Sequence, residues 1–243
     1  TLFRCTYCGA QLLFEADNKP SPAARAVARQ ELQAIQEWLT CIGVEVSLGQ
    51  STPPLVLKGK RVTDDDLSRL LPLTDLGFLD ISSTAVTDRG MEVLASFKEL
   101  THLYLSKNTV GDEGIASLQG LTHLKHLDLG HTRITDLSLP LLARIPKLDT
   151  LSLEGTEVTA AGLIPLLPRA GKITIHSNNS RIRDADVLRH KVARLFPGNT
   201  TLNLIRGDLT DEDLPEMLHM PGLENLSLSG DRKSTRLNSS HVS

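Results

Sequence analysis

Two pairs of side chains in this 243-residue chain have types and spacings that could do chemistry. Cys5 and Cys8 lie in the run CTYCG, and two thiolates at this spacing can grip one tetrahedral Zn²⁺. A closed structural site needs four ligands. The third cysteine, Cys41, is distant and sits beside the apolar Ile42, and no histidine lies near the pair. Zinc would therefore need ligands upstream of Thr1; the alternatives are a redox pair or no metal at all. His102 and His126 are 24 residues apart, and two imidazoles on adjacent strands, ~5 Å apart, can share a metal. Duplication of a polar surface position explains the same spacing without a metal. No phosphate-binding loop, nucleotide fingerprint, HExxH helix or GxSxG elbow is present. The expectation is a chain that is not an enzyme and carries no complete cofactor site.

The elements that must position these residues follow from a leucine excess. There are 44 leucines but only eight aromatic residues, so the core must be aliphatic and repetitive. Leu76, Leu100, Leu124 and Leu148 are spaced by 24, as are Leu79, Leu103, Leu127 and Leu151, and then Ile81, Leu105, Leu129 and Leu153. The phase extends back to Leu55 and Leu57 and forward through Ile175. It resumes, after three inserted residues, at Leu202 and Leu204 and again at Leu226 and Leu228. Each LxL alternates as a strand does, with leucines inward. Thr84, Asn108, Thr132, Thr156 and Ser180 then stand where the chain leaves the sheet and can satisfy backbone groups there. A buried Val or Ile follows, then Thr63, Thr87, Thr135 or Thr210 as a helix N-cap, with Asp64, Asp88, Asp136 or Asp211 in the first turn. The helix faces should bury Leu67, Leu70 and Leu71 in one repeat, and Met91, Leu94 and Phe97 in the next. Repeat six departs, with Ser177 in place of an inward leucine.

The pattern LxxLxLxxTxVTDxGLxxL resembles the leucine-rich repeat family, in a 24-residue, bacterial-like variety, over about residues 42–230. The resemblance implies an α/β solenoid, with a curved parallel sheet on the concave face and helices on the convex face. Four segments are expected. Residues 1–20 form a segment that is similar to half of a zinc-ribbon knuckle, plus a linker. Residues 21–50 form a cap of one helix and a strand through Val44, Val46 and Leu48, residues 51–230 form the repeats, and residues 231–243 form a non-native tail. The tail's DRKSTRLNSSH reads as a translated sequencing adapter; without its three cations and one anion the net charge moves from −3 to −5. The chain starts at Thr1 rather than Met, so a missing N-terminal part is also expected.

Eight strands would make a sheet roughly 33 Å wide, which suits a protein or peptide better than a small substrate. The outward rows carry the expected binding residues: Phe78, Asp80, His102, Tyr104, His126, Asp128, Ser152 and His176, with Ser82, Ser106 and Gly130 in a third row. Phe78 and Tyr104 lead, because exposed aromatics in mid-patch are the usual hot spots. The charge argues against nucleic acid, and no apolar run approaches ~20 residues, so no membrane span is expected. The expectation is a monomeric, non-catalytic interaction module. The alternative is the substrate-recognition part of a larger enzyme, similar to ubiquitin-ligase subunits or bacterial effectors.

Overall fold

The computed structural model describes residues 22–48, 52–169 and 172–177, together with four strands outside those ranges. Strands β1 (Leu2–Arg4) and β2 (Gln11–Leu13) pair antiparallel. Cys5 and Cys8, between them in sequence, lie outside the described residues, as do Ser180, Thr210, Asp211 and the segment 231–243.

Helix α1 spans Pro22–Cys41. Pro22 at its start suits a first turn, where the missing N–H has no helical partner. Ile35 and Leu39 are buried and belong to the same apolar cluster as Leu55 and Leu57. The expected strand at residues 44–48 does not form. The side chain of Gln36 occupies its backbone instead: its amide nitrogen donates to Val46 O, and its oxygen accepts from Leu48 N at 3.0 Å. A side-chain amide thus replaces a neighbouring strand.

The repeats follow as β3 (Leu55–Val56), β4 (Phe78–Asp80), β5 (His102–Tyr104), β6 (His126–Asp128), β7 (Thr150–Ser152) and β8 (Thr174–His176), one parallel six-stranded sheet in sequence order. Strands β9 (Thr201–Ile205) and β10 (Asn225–Ser229) stand in the expected phase but pair with each other in a separate parallel sheet. Among the described residues the eight expected strands are thus found as six and two. The change comes after β8, where Ser177 takes an inward leucine's place and the three-residue insertion follows. A serine there removes the apolar side chain that would carry the ladder onward.

Three aliphatic ladders, all leucine but for Ile81, run through the repeats at residues 76/100/124/148, 79/103/127/151 and 81/105/129/153, all essentially excluded from solvent. Short helices α2 (Asp64–Leu67), α3 (Asp88–Leu94), α4 (Asp112–Ile115) and α5 (Leu139–Leu142) close the other side. They and the turns after them bury Leu67, Leu70, Leu71, Met91, Leu94 and Phe97 as their spacing predicts. Residues Ala161–Arg169 form a 3₁₀ helix rather than an α-helix, and Pro165 and Pro168 inside it remove two backbone donors.

Each repeat is tied to the next by an aspartate. Asp64 accepts from Thr87 N at 2.8 Å and Thr87 Oγ1 at 2.6 Å. Asp112 does the same for Thr135 at 2.9 and 2.7 Å, and Asp136 for Thr159 at 2.7 Å on both bonds. Glycine replaces threonine at position 111, and Asp88 there accepts from Gly111 N at 2.7 Å and Gly114 N at 3.1 Å. This ladder explains the glycine of the TDxGL pattern: a Cβ on Gly114 would sit 2.5 Å from Asp88 Oδ1, and one on Gly162 would sit 2.1 Å from Asp136 Oδ1. Ser138 fills the equivalent position in another repeat and meets the carboxylate through a hydrogen bond from its hydroxyl to Asp112.

After each of β3 to β7 the chain passes through a left-handed residue: Gly59, Ser83, Lys107, His131 and Gly155, with φ between 55° and 69°. A side chain there costs about 1–2 kcal/mol over glycine's unhindered backbone. Part of that gain is offset by glycine's freer unfolded chain, about 0.5–1 kcal/mol. Lys107→Gly is therefore expected to stabilise the fold by about 0.5–1 kcal/mol. Urea unfolding followed by circular dichroism checks it; a lower midpoint would contradict the assignment of strain.

Candidate functional site

The sheet's outer face is built from alternate strand positions. In one row the register aligns Phe78, His102, His126, Thr150 and Thr174 on neighbouring strands. In the second it aligns Val56, Asp80, Tyr104, Asp128, Ser152 and His176. On β4 to β8 the central Leu or Ile is buried, while its flanking side chains are partly exposed or, on β8, exposed; Val56 on β3 is exposed as well. All eight expected residues therefore lie on one face. Ser82 and Gly130, expected in a third outward row, are buried. The chain leaves the strand after its third residue; the fourth still turns inward with the ladder, but alternation no longer governs the fifth.

Four rings converge on β4, β5 and β6. Phe78 lies 5.3 Å from Tyr104 and 5.7 Å from His102, centroid to centroid, both tilted. His102 stacks on His126 at 4.9 Å with 27° between planes. Ser152 and His176 continue the second row but stand one and two strands beyond the rings.

Two residues that spacing alone did not single out orient the histidines. Thr101 Oγ1 donates to Gly77 O at 2.7 Å, so its one hydrogen is committed to a carbonyl. Its 2.8 Å contact with His102 Nδ1 must then be a bond donated by the ring. His102 is thus held as the Nδ1–H tautomer with Nε2 as an acceptor. His126 Nδ1 approaches Asp149 Oδ1 at 3.5 Å. Burial first, and repulsion from His126 and Lys125 next, push the His102 imidazole below its ordinary pKa, against the pull of Asp149. The His102 imidazole is thereby held towards its neutral form. The signal for both orienting residues was their place just before a strand in the 24-residue frame.

Each aspartate of the second row uses one oxygen to fold its own turn. Asp80 Oδ1 accepts from Ser82 N and Asp128 Oδ1 from Gly130 N, both at 2.9 Å. Among the described residues no group of three or more His, Cys, Asp or Glu side chains is arranged to hold a metal, so the two histidines gain no third ligand of those types. Among the same residues no helix is long and apolar enough to cross a membrane.

Two leucine-rich repeat family models match the chain, one over residues 98–158 and another over residues 74–95. Comparison with curated proteins finds no match. Among solved structures, the chain is similar to internalin C2 of Listeria monocytogenes at 25% identity, with 52% of this chain and 62% of that one covered and a TM-score of 0.38. It thus spans less than two thirds of that protein's length. Internalin F of the same organism gives 19% identity, coverage of 81% and 67%, and a TM-score of 0.47. The leucine-rich-repeat ectodomain of the receptor kinase SOBIR1 from Arabidopsis thaliana gives 16%, 63%, 93% and 0.43 in the same order. The two family matches fall on the strands, inward leucines and turns described above, and on that ground residues 74–95 and 98–158 are leucine-rich repeats.

Proposed function

We propose that this chain is a non-catalytic recognition module that binds a protein or peptide on the concave, outer face of its six-stranded sheet. The observation that carries the reading is the ring cluster. Of only eight aromatic residues in the chain, two are spent on this open face, and they pack with two histidines there rather than in the core. Large rings that bury apolar area at low entropic cost are the usual centres of binding energy. Asp80, Asp128, Ser152 and His176 supply the polar surround, as a rim does. The face is a continuous sheet surface about 24 Å across, five strand spacings, which suits an extended partner.

A displayed library of random dodecapeptides tests this. The chain should enrich binders, and Phe78→Ala with Tyr104→Ala should weaken them at least tenfold, more than about 1.4 kcal/mol. Arg89→Ala serves as a control on the helical side, where Arg89 makes only an exposed ion pair with Asp65 at 3.2 Å. Its binders should be unchanged. Peptides indifferent to the ring substitutions, with the unfolding midpoint preserved, would remove the face assignment.

A further inference from the structure

We infer that the partner presents an arginine side chain of an extended peptide to Tyr104, between Asp80 and Asp128. The inference rests on the reading of this face as the binding surface and adds what the face selects.

The register places Asp80, Tyr104 and Asp128 side by side on β4, β5 and β6. The two carboxylates are therefore two strand spacings apart, about 9.6 Å, with the phenol ring between them. A cation over that ring, within about 6 Å of its centre, lies within reach of a carboxylate on either side. Each aspartate has already spent one oxygen on its own turn, which fixes the carboxylate in place before any ligand arrives. Such fixed acceptors lose little entropy on binding.

Charge complementarity decides the sign of the ligand. The two outward rows of β3–β8 contain no lysine or arginine, and their only formal charges at neutral pH are Asp80 and Asp128. The cations nearest in sequence to Tyr104 and Asp128, Lys107 and Lys125, fall beyond the strand ends: Lys125 just before β6, and Lys107 in the turn after β5. The faces of Phe78 and Tyr104 carry the negative side of their quadrupoles, which attracts a cation as well. The His102 imidazole, stacked on His126, is held by burial towards its neutral form and so adds little competing positive charge. Between the two biological cations, the planar guanidinium both stacks on a ring and meets a carboxylate with a fork of donors, whereas an ammonium does only the second as a point charge. The apolar rim beside it, Phe78 on the neighbouring strand, is suited to a flanking aliphatic side chain of the same peptide.

The test uses the full chain, labelled with ¹⁵N, and four fluorescein-labelled nonapeptides built of Gly and Ser with a central Leu-X-Leu. X is Arg, citrulline, Lys or Glu. Citrulline keeps the planar shape of arginine and removes its charge. The Arg peptide should shift the amides of residues 78–82, 102–106 and 126–130 saturably. It should bind at least tenfold tighter than the citrulline peptide and several-fold tighter than the Lys peptide, and its affinity should fall with added salt. Asp80→Asn with Asp128→Asn keeps the acceptor oxygen for each turn, so the unfolding midpoint should hold while the preference for arginine over citrulline drops below twofold. Citrulline or Glu peptides binding this face as tightly as the Arg peptide would overturn the arginine assignment and leave the face intact. Shifts confined to other parts of the chain, with all four peptides, would overturn the face itself.

Discussion

Asn108→Ala is expected to cost about 3–4 kcal/mol, because buried donors and acceptors left unpaired cost about 1–3 kcal/mol each. Asn108 stands where most repeats carry threonine, and it is buried. Its amide nitrogen donates to Leu105 O at 2.9 Å within its own turn and to Ile81 O at 2.8 Å in the preceding repeat. Its oxygen accepts from Thr84 N at 3.1 Å and from Thr84 Oγ1 at 2.9 Å. One side chain therefore closes two consecutive turns. The threonines are more modest: Thr132 Oγ1 donates to Leu129 O at 2.6 Å and Thr156 Oγ1 to Leu153 O at 2.7 Å, each inside its own turn. Alanine at 108 leaves the Thr84 N–H and the Leu105 carbonyl without partners, and adds a small void.

The graded series separates those contributions. Asn108→Thr should restore the Leu105 bond alone and cost about 1–2 kcal/mol, since Thr84 N still loses its acceptor. Asn108→Asp should be at least as damaging as alanine at neutral pH. A carboxylate cannot donate to Ile81 O or Leu105 O, and it would carry an unpaired charge into a buried site. Urea unfolding gives the totals, and amide hydrogen exchange at Ser83 to Ala85 gives the local part. Repeat arrays distribute stability between neighbours, so a lesion joining two repeats should loosen both. A threonine variant as stable as the wild type would show that the bridge to the preceding repeat carries nothing.

Most of the repeat was legible before any coordinates, for a physical reason. A strand alternates with period two, and the solenoid returns every 24 residues, so Leu79, Leu103, Leu127 and Leu151 report both periods at once. The same arithmetic put Phe78, Tyr104 and the two histidines on one face. It went wrong where the chain stops being a strand. Ser82 and Gly130 keep the parity of Asp80 and Asp128, yet they turn inward because the backbone has already left the sheet. It also went wrong at Val46 and Leu48, whose alternation resembles a strand but whose backbone is bonded by Gln36. The orientation of His102 was out of reach, since it depends on how the Thr101 hydroxyl is spent. Most instructive are the aspartates. Local rules assign Asp64 and Asp136 to their own helix starts. Their main partners lie 23 residues on, at Thr87 and Thr159, a spacing visible in the sequence but meaningful only once repeats are known to stack in register.

That stacking makes Asp112→Ala the second large expected loss, about 2–3 kcal/mol, since hydrogen bonds to a charged group contribute about 1.5–3 kcal/mol. Asp112 accepts from Thr135 N and Thr135 Oγ1 and from the hydroxyl of Ser138, whose residue is fully buried. Alanine strands all three donors at the join between two repeats. Asp112→Asn keeps one carbonyl oxygen for Thr135 N and should lose about half as much. The charged form also has a pH signature. Burial pushes the Asp112 carboxyl up, but the bonds from Ser138 and Thr135 outweigh it and hold the group below the ordinary carboxylate value of 3.8. The folded chain thus binds fewer protons here than the unfolded chain. Its stabilising contribution is complete above the unfolded value and is lost as pH falls through 3.8 towards the lower folded one. Asp75, held low first by the Thr52 hydroxyl and then by Thr52 N, acts with the same sign, so the Asn variant should keep a part of the acid sensitivity. The measurement is the unfolding midpoint from pH 7 to pH 3 for wild type, Asp112→Ala and Asp112→Asn. The gap between wild type and Asp112→Asn should narrow as the solution becomes acidic, because protonation removes from the wild type what the variant already lacks. A gap that stays constant would mean that neutral geometry, rather than the carboxylate charge, holds the two repeats together.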